Sequence, residues 1–403
     1  MTSNTTLGIL GAGAMGSGIA QVAATHGWSV RLLDREPDIV SRALDQVAKR
    51  LDRQVEKGRL DRSAADEAAQ RLHPATSPTD FQDCAVVLEA VVEDLDAKVA
   101  AMAPLIEAVS PTTIIATNTS SLSVTELGER LGTPERTCGM HFFNPAPIMR
   151  LVEIIRGRET DQEVVDRAAE IAAGWGKHVA RAADTPGFIV NRVARPYYLE
   201  AFRCLEDGLA TPEIIDGTMK QLGGFRMGPL ELTDFIGHDV NTATTRTVWT
   251  QWDKPSRLMP SLAQEQLVAE GQLGRKSGQG VYDYSGETPV AIVRPGHDAA
   301  TIAAGDLKAI TAFISQASIE TENPVQQVIL ARILCAIFNE ALWARHDGVA
   351  EPDDIDIAMQ FGVNYPHGPF NWMTTIGEDV VLNTMQALER MSGTGRFTPP
   401  AGS

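Results

Sequence analysis

The feature that most constrains the fold is a glycine turn set between two short apolar strands near the start of the chain. Leu7-Gly8-Ile9-Leu10 reads as a strand and is followed by Gly11-Ala12-Gly13-Ala14-Met15-Gly16-Ser17-Gly18. A helical pattern then covers 19–26, Gly27 closes it, and Ser29-Val30-Arg31-Leu32-Leu33 forms a second strand ending at Asp34. Strand, glycine turn, helix, strand and acid in this order make the dinucleotide-binding βαβ unit. Gly11 permits the tight turn, Gly13 lets the backbone approach a pyrophosphate, and Gly16 lets the helix pack on the sheet. Ala14 and Met15 open the helix, whose free N–H groups and dipole attract phosphate. Asp34 stands where a carboxylate accepts from ribose hydroxyls, which favours NAD over NADP. The adjacent Arg35 points the other way, because an arginine there can accompany a 2′-phosphate.

Further strands are expected at Val86-Val87-Leu88-Glu89, Thr113-Ile114-Ile115-Ala116, 137–141 and 151–155, with a weaker candidate at 177–181. The N-terminal part, 1–183, therefore reads as an α/β Rossmann-like domain with a doubly wound, mostly parallel sheet. Residues 38–72 are more than a simple crossover needs. They read as an inserted helical hairpin, broken at Lys57-Gly58 and projecting Lys49, Arg50, Arg53, Lys57 and Arg59. Those cations suit either a solvated face or a grip on an anionic substrate.

Two polar stretches lie where strands end, on the edge that faces ligand in such sheets. Thr117-Asn118-Thr119-Ser120-Ser121 follows one strand, and these residue types also serve as a turn and helix cap. Gly139-Met140-His141-Phe142-Phe143-Asn144-Pro145 ends another, and Glu153 lies twelve residues after His141 within the apolar run Leu151-Val152-Glu153-Ile154-Ile155. A carboxylate inside a buried strand needs a partner. An imidazole oriented by such a carboxylate is a general acid/base, and beside a dinucleotide site the pair points to proton transfer coupled to hydride transfer. Asp184-Thr185-Pro186-Gly187-Phe188-Ile189-Val190-Asn191-Arg192 marks a domain junction, with Asn191 in the first turn of the next helix.

With these motifs the chain resembles the L-3-hydroxyacyl-CoA dehydrogenases from Leu7 to about Tyr284. The glycine turn, Glu89-Ala90-Val91-Val92-Glu93, Asn118 to Ser121, His141 to Pro145, Asp184 to Arg192 and Gly274-Arg275-Lys276-Ser277-Gly278-Gln279-Gly280 carry the likeness. The resemblance implies NAD as cofactor and an acyl-CoA thioester as substrate. It implies that His141 takes the proton of the 3-hydroxyl, Glu153 orients the imidazole, and Ser120 and Asn191 hold the reacting oxygen. Glu93 and Lys98 match cofactor-side positions, with Asn118 and Asn144 lining the same site. The hairpin would grip coenzyme A through Lys57, with Arg50 where the family can carry a serine. A dehydrogenase of a free hydroxy or sugar acid is the alternative enzyme, and a non-catalytic protein on this scaffold the alternative class.

The helical region 184–285 is followed by a second, truncated copy at 326–395. Gly228-Pro229 through Ile236-Gly237-His238-Asp239-Val240 recurs as Gly368-Pro369 through Ile376-Gly377-Glu378-Asp379-Val380, an offset of 140 (368 − 228). In the same register Arg192 pairs with Arg332, Glu200 with Glu340 and Asp207 with Asp347. One register held this long is a duplication, yet Asn191 pairs with Ala331, so one active site is expected. Two-domain members of the family dimerise through the helical domain. The second copy is therefore expected to pack on the first as an intramolecular pseudo-dimer, beside a possible homo-oligomer. Residues 286–325 join the copies through an irregular start near Pro289, Pro295 and Gly296, a short strand at 291–293 and a helix at 307–315. The tail 396–403 is expected to be disordered.

A net charge of −17 argues against nucleic acid and gives no attraction to a membrane surface. No apolar run in the sequence approaches a membrane span. Cys84, Cys138, Cys204 and Cys335 are scattered through apolar contexts without ligand spacing. They read as reduced thiols in a cytoplasm, with no metal site.

Overall fold

The computed structural model describes residues 5–293 and 304–402, and the chain divides into two compact units, Met1–Phe188 and Ile189–Ser403. In the first unit the order is β1 (Thr6–Leu10), α1 (Ala14–Thr25), β2 (Ser29–Leu33), α2 (Pro37–Glu56), α3 (Arg62–Gln70) and β3 (Leu72–Pro74). Then come β4 (Val86–Glu89), α4 (Leu95–Ala108), β5 (Ile114–Thr117), α5 (Val124–Leu131), β6 (Thr137–Phe142), β7 (Leu151–Arg156), α6 (Gln162–Gly174) and β8 (His178–Ala183). The strands form one eight-stranded sheet in the order β3-β2-β1-β4-β5-β6-β7-β8. Strand order reverses between β1 and β4, the switch point where such sheets bind ligand beyond their carboxyl ends.

Strands β4 and β5 are buried along their whole length, as continuous apolar runs in a sheet covered on both faces should be. The ladder between β6 and β7 is antiparallel, whereas β1, β2, β4, β5 and β6 pair in parallel. The short strand β3 was not expected.

The α2–α3 hairpin breaks at Lys57-Gly58 as read from the sequence, with Gly58 at φ +63°. It does not project. Val40, Ala43, Val47 and Leu51 of α2 and Ala65 and Ala68 of α3 join the same apolar core as α1 and the sheet. Their helical spacing makes a stripe that must be covered, so the hairpin lies down on α1.

The second unit contains α7 (Val190–Val193), α8 (Arg195–Glu206), α9 (Pro212–Gln221), α10 (Pro229–Ile236), α11 (His238–Gln251) and α12 (Leu262–Ala269). A small β9 (Tyr282–Asp283) and β10 (Val290–Ala291) pair antiparallel. Next come α13 (Ala304–Gln316), α14 (Pro324–His346), α15 (Pro352–Gly362), α16 (Pro369–Ile376) and α17 (Glu378–Ser392). Pro295 and Gly296 of the expected joining segment lie outside the described residues.

The offset of 140 holds element by element: α10 maps onto α16 end for end, and α9 and α11 map onto α15 and α17 within a residue. The caps repeat as well. Asp216 accepts from the backbone N–H of Leu230 and Glu231 at the start of α10, and Asp356 from those of Phe370 and Asn371 at the start of α16. Helix α14 packs against α8 and α13. It is long and apolar enough to cross a membrane by length and composition, which the sequence reading did not register, but 89% of that stretch is buried inside the unit.

The carboxyl-terminal segment, expected to be disordered, is packed. Phe397 is buried, Asn339 Nδ2 donates to the Arg396 carbonyl at 2.8 Å, and Trp343 Nε1 donates to the Thr398 carbonyl at 3.0 Å. Arg396 also reaches Glu200 at 3.1 Å. A buried aromatic anchor, an ion pair and side-chain hydrogen bonds to its backbone hold a Gly/Pro-rich segment that composition alone would leave loose.

Candidate active site

The glycine turn builds the cofactor side. Gly11 sits at φ +103°, and a Cβ there would fall 2.5 Å from the Ala90 carbonyl oxygen. A Cβ at Gly16 would fall 1.9 Å from the Gly11 carbonyl oxygen, so the turn and α1 can close only as glycines. Gly13 has open space where a side chain would be, which leaves its backbone accessible at the start of α1, where Ala14 and Met15 stand. Asp34 Oδ2 accepts from Ala12 N at 2.8 Å, fixing the carboxylate at the lip of the turn. A cleft of about 770 Å³ runs from Gly11, Gly13, Asp34 and Arg35 to apolar walls at Ile39, Val91, Val92 and Ala101. Exposed backbone donors, a ribose-binding acid and an apolar slot are what a dinucleotide requires, so the residues present fit NAD.

Beyond β4 a buried network organises the next loop. Glu89 accepts from Lys98 Nζ at 2.7 Å, Thr117 Oγ1 at 2.6 Å and Val91 N at 2.6 Å. Lys98 also pairs with Glu93 at 3.1 Å. Glu93 Oε1 accepts from Thr119 Oγ1 at 2.7 Å and Ser120 N at 2.8 Å, and from Ser120 Oγ and both donors of Ser121 at 3.1–3.3 Å. Burial alone would raise the Glu93 carboxyl, but the Thr119 hydrogen bond, the Lys98 charge and the Ser120 backbone donor outweigh it, so it is held below its usual range. Lys98, with 2% of its side chain exposed, does not face the cleft as expected. Two carboxylates draw its ammonium inward. Asn118 Oδ1 accepts from Phe142 N at 2.8 Å, which ties the ends of β5 and β6 together.

His141 stands one residue before the end of β6 and lies opposite Glu153 in the β6–β7 ladder. Glu153 Oε2 is 2.7 Å from His141 Nδ1, with the carboxylate fully buried. A carboxylate oxygen accepts, so Nδ1 carries the hydrogen and Nε2 is the nitrogen left to exchange a proton. The rings of Phe143 and Phe188 stand 4.5 and 5.9 Å from the imidazole, centre to centre. Asn144 is exposed just past the strand. Lys177 Nζ holds the following loop through the carbonyls of Ala146 and Met149, at 2.6 and 2.7 Å.

Sequence reasoning did not assign roles to Phe143, Phe188, Lys177 or Glu89. Phe188 had a local signal in the preceding Pro186-Gly187, and in the structure it adopts φ +47°, a conformation rare for an aromatic residue. Asp184, quoted only as part of a motif, caps α5 by accepting from Ser123 Oγ and from the backbone N–H of Val124 and Thr125. Asn191 sits in α7, in the second unit. On the hairpin Lys57 is exposed, whereas Arg50 turns inward, 3.3 Å from the carbonyl and hydroxyl oxygens of Ser17 in α1.

A switch-point sheet, a glycine cradle and a carboxylate-oriented histidine at the same strand edge define a nucleotide-dependent dehydrogenase of the Rossmann class. Residues 6–185 match the family model described as 3-hydroxyacyl-CoA dehydrogenase, NAD binding domain, and 187–284 and 328–402 match that of its C-terminal domain. The chain belongs to the 3-hydroxyacyl-CoA dehydrogenase family and is an NAD-dependent oxidoreductase. It is 37% identical to the 3-hydroxyadipyl-CoA dehydrogenase of Escherichia coli K12, covering 98% of this chain and 95% of that one. It is 42% identical to a probable 3-hydroxybutyryl-CoA dehydrogenase of Deinococcus radiodurans, covering 69% of this chain and 99% of that one. The crystal structure of a 3-hydroxybutyryl-CoA dehydrogenase from E. coli K12 superposes with a TM-score of 0.87 at 36% identity, over 99% of this chain and 97% of that one.

Proposed function

We propose that the protein oxidises the 3-hydroxyl of an L-3-hydroxyacyl-CoA to the 3-oxoacyl-CoA, reversibly, with His141 as the acid/base. The observation that carries this reading is the 2.7 Å pair of His141 and Glu153 at the carboxyl edge of the sheet that bears the glycine cradle. Bound NAD supplies the hydride acceptor. His141 Nε2 takes the hydroxyl proton as the C–H hydride leaves C3 and the C=O bond forms. The charge that develops on the imidazole is met by Glu153, which also keeps the ring in the tautomer that can accept. Ser120 and Asn191 donate hydrogen bonds to the reacting oxygen, and Glu93 holds Ser120 in place.

Asp34 favours NAD. Glu93, Asn118 and Asn144 serve the cofactor side, and Lys98 acts through Glu93. The exposed hairpin cations, Lys57 foremost, hold the anionic end of coenzyme A, while Arg50 pins the far half of α2 onto α1. The second helical copy takes the place of a partner's helical domain, and four free, buried cysteines suit the reducing cytoplasm.

The test is NADH oxidation with acetoacetyl-CoA, 3-oxoadipyl-CoA, longer 3-oxoacyl-CoAs and free acetoacetate. Turnover confined to the thioesters is expected. Turnover of the free acid alone would replace this reading with a hydroxy-acid dehydrogenase.

A further inference from the structure

Arg192 follows Asn191 in α7, and its side chain is fully buried. Its Nε donates to Glu340 Oε1 at 2.6 Å, its terminal nitrogen meets Asp347 Oδ2 at 2.6 Å, and its guanidinium lies 3.9 Å from the centre of the Trp252 ring. Both carboxylates belong to the second helical copy. Glu340 is itself fully buried and takes Arg257 Nε on its other oxygen at 2.7 Å, so it is fixed from two sides. The same clamp recurs in mirror sense. Arg332 Nε donates to Glu200 Oε1 at 2.6 Å, and its terminal nitrogen meets Asp207 Oδ2 at 2.8 Å. There the residue before the arginine is Ala331, which carries no chemistry.

Helix α7 has four residues, closed by Val193 N on the Ile189 carbonyl at 2.8 Å and Ala194 N on the Val190 carbonyl at 3.1 Å, and so short a helix is marginal by itself. The anchoring of its neighbour Arg192 adds a long-range constraint to the backbone at Asn191. A group that binds the reacting oxygen must be held to roughly 0.5 Å, and a two-point clamp on a planar guanidinium gives that order of constraint. Stability alone is a poor reason for such pairs, since well-packed apolar residues usually serve as well as buried ion pairs.

From this geometry we propose that Glu340 and Asp347 are positioning residues for Asn191, so that the copy that has lost its own site completes the remaining one. The proposal rests on the role of Asn191 given above. Neither carboxylate touches substrate; both act through Arg192.

The full chain tests it with E340Q and D347N, the mirror variants E200Q and D207N, and N191A as reference. For each, kcat and KM for acetoacetyl-CoA and the melting temperature are measured. E340Q is expected to lower kcat roughly 10-fold or more, with KM nearly unchanged, as loss of a transition-state contact requires. E200Q should lower the melting temperature comparably while keeping kcat within about twofold. D347N and D207N should repeat the contrast more mildly, and they carry the test if the buried variants do not fold, because both aspartates are partly exposed. Equal kcat losses in mirror variants, or an unchanged kcat in both E340Q and D347N, would overturn the proposal. Full activity in N191A would instead remove the role of Asn191 on which it rests.

Discussion

Glu153 lies directly across the β6–β7 ladder from His141, its Oε2 2.7 Å from Nδ1, in a sheet where most ladders run parallel. The antiparallel turn-back is what lets two residues twelve apart in sequence face each other on one side of the sheet. A slip of one residue would send one of them to the opposite face.

H141A should therefore lose about 10²- to 10⁴-fold in kcat, with NAD binding retained. E153Q should reduce kcat less and displace the pH profile of kcat/KM, since an amide keeps the hydrogen bond but not the charge. Steady-state kinetics across pH with NAD titration checks both, and an unaltered rate in H141A excludes it as the base.

Glu93 gives a pH prediction with a definite sign. A carboxyl held below its usual range stabilises the fold fully above its unfolded pKa of about 4.3, and that contribution disappears as pH falls through the depressed value. The melting temperature of the parent should exceed that of E93Q by a constant margin above about pH 5, narrowing below about pH 4. E93Q should also lose turnover at neutral pH, because Ser120 is left with a weaker acceptor.

F397A should destabilise the second unit by about 3 kcal/mol, the order expected for emptying a buried phenyl site. Chemical denaturation measures this. A change below about 0.5 kcal/mol would mean that the tail is not anchored there.

Ending the chain after Thr288 removes Glu340 and Asp347 and leaves the buried Arg192 without its carboxylates, beside an uncovered face of α8. The truncated protein should aggregate or self-associate, as gel filtration and light scattering would show. A soluble, stable monomer would contradict the pseudo-dimer.

D34A should raise the KM for NAD roughly 10-fold while leaving NADP less disfavoured, because the ribose hydroxyls lose their acceptor and a 2′-phosphate loses its repulsion. Initial rates with both cofactors decide this.

Much of this was readable in advance because local chemistry dictated it. The turn at Gly11 and Gly16 closes only as glycine, and the period of the sheet brings Glu153 to His141 once both are strands. The repeat showed itself because the run from Gly228-Pro229 to Val240 recurs at one offset, and the caps at Asp216 and Asp356 give a reason for that register to persist. What could not be read depends on partners far away in sequence. Glu93 and Glu89 stand only five and nine residues before Lys98, yet it takes the folded junction of β4 and α4 to show that they turn it inward, and nothing near Arg50 shows that it folds back to Ser17. Phe397 looks like a stray aromatic in a loose tail until the core it fills is in place.

The two arginine clamps also bear on dilution. Where such a contact joins separate chains, its occupancy falls as the protein becomes scarce. Here both halves belong to one polypeptide, so the contact forms at an effective concentration set by the chain itself. Specific activity should therefore hold down to concentrations at which an assembly of separate subunits would fall apart. A chain joined in this way is also free of a constraint that identical subunits cannot escape, because each side of the interface can change without altering the other.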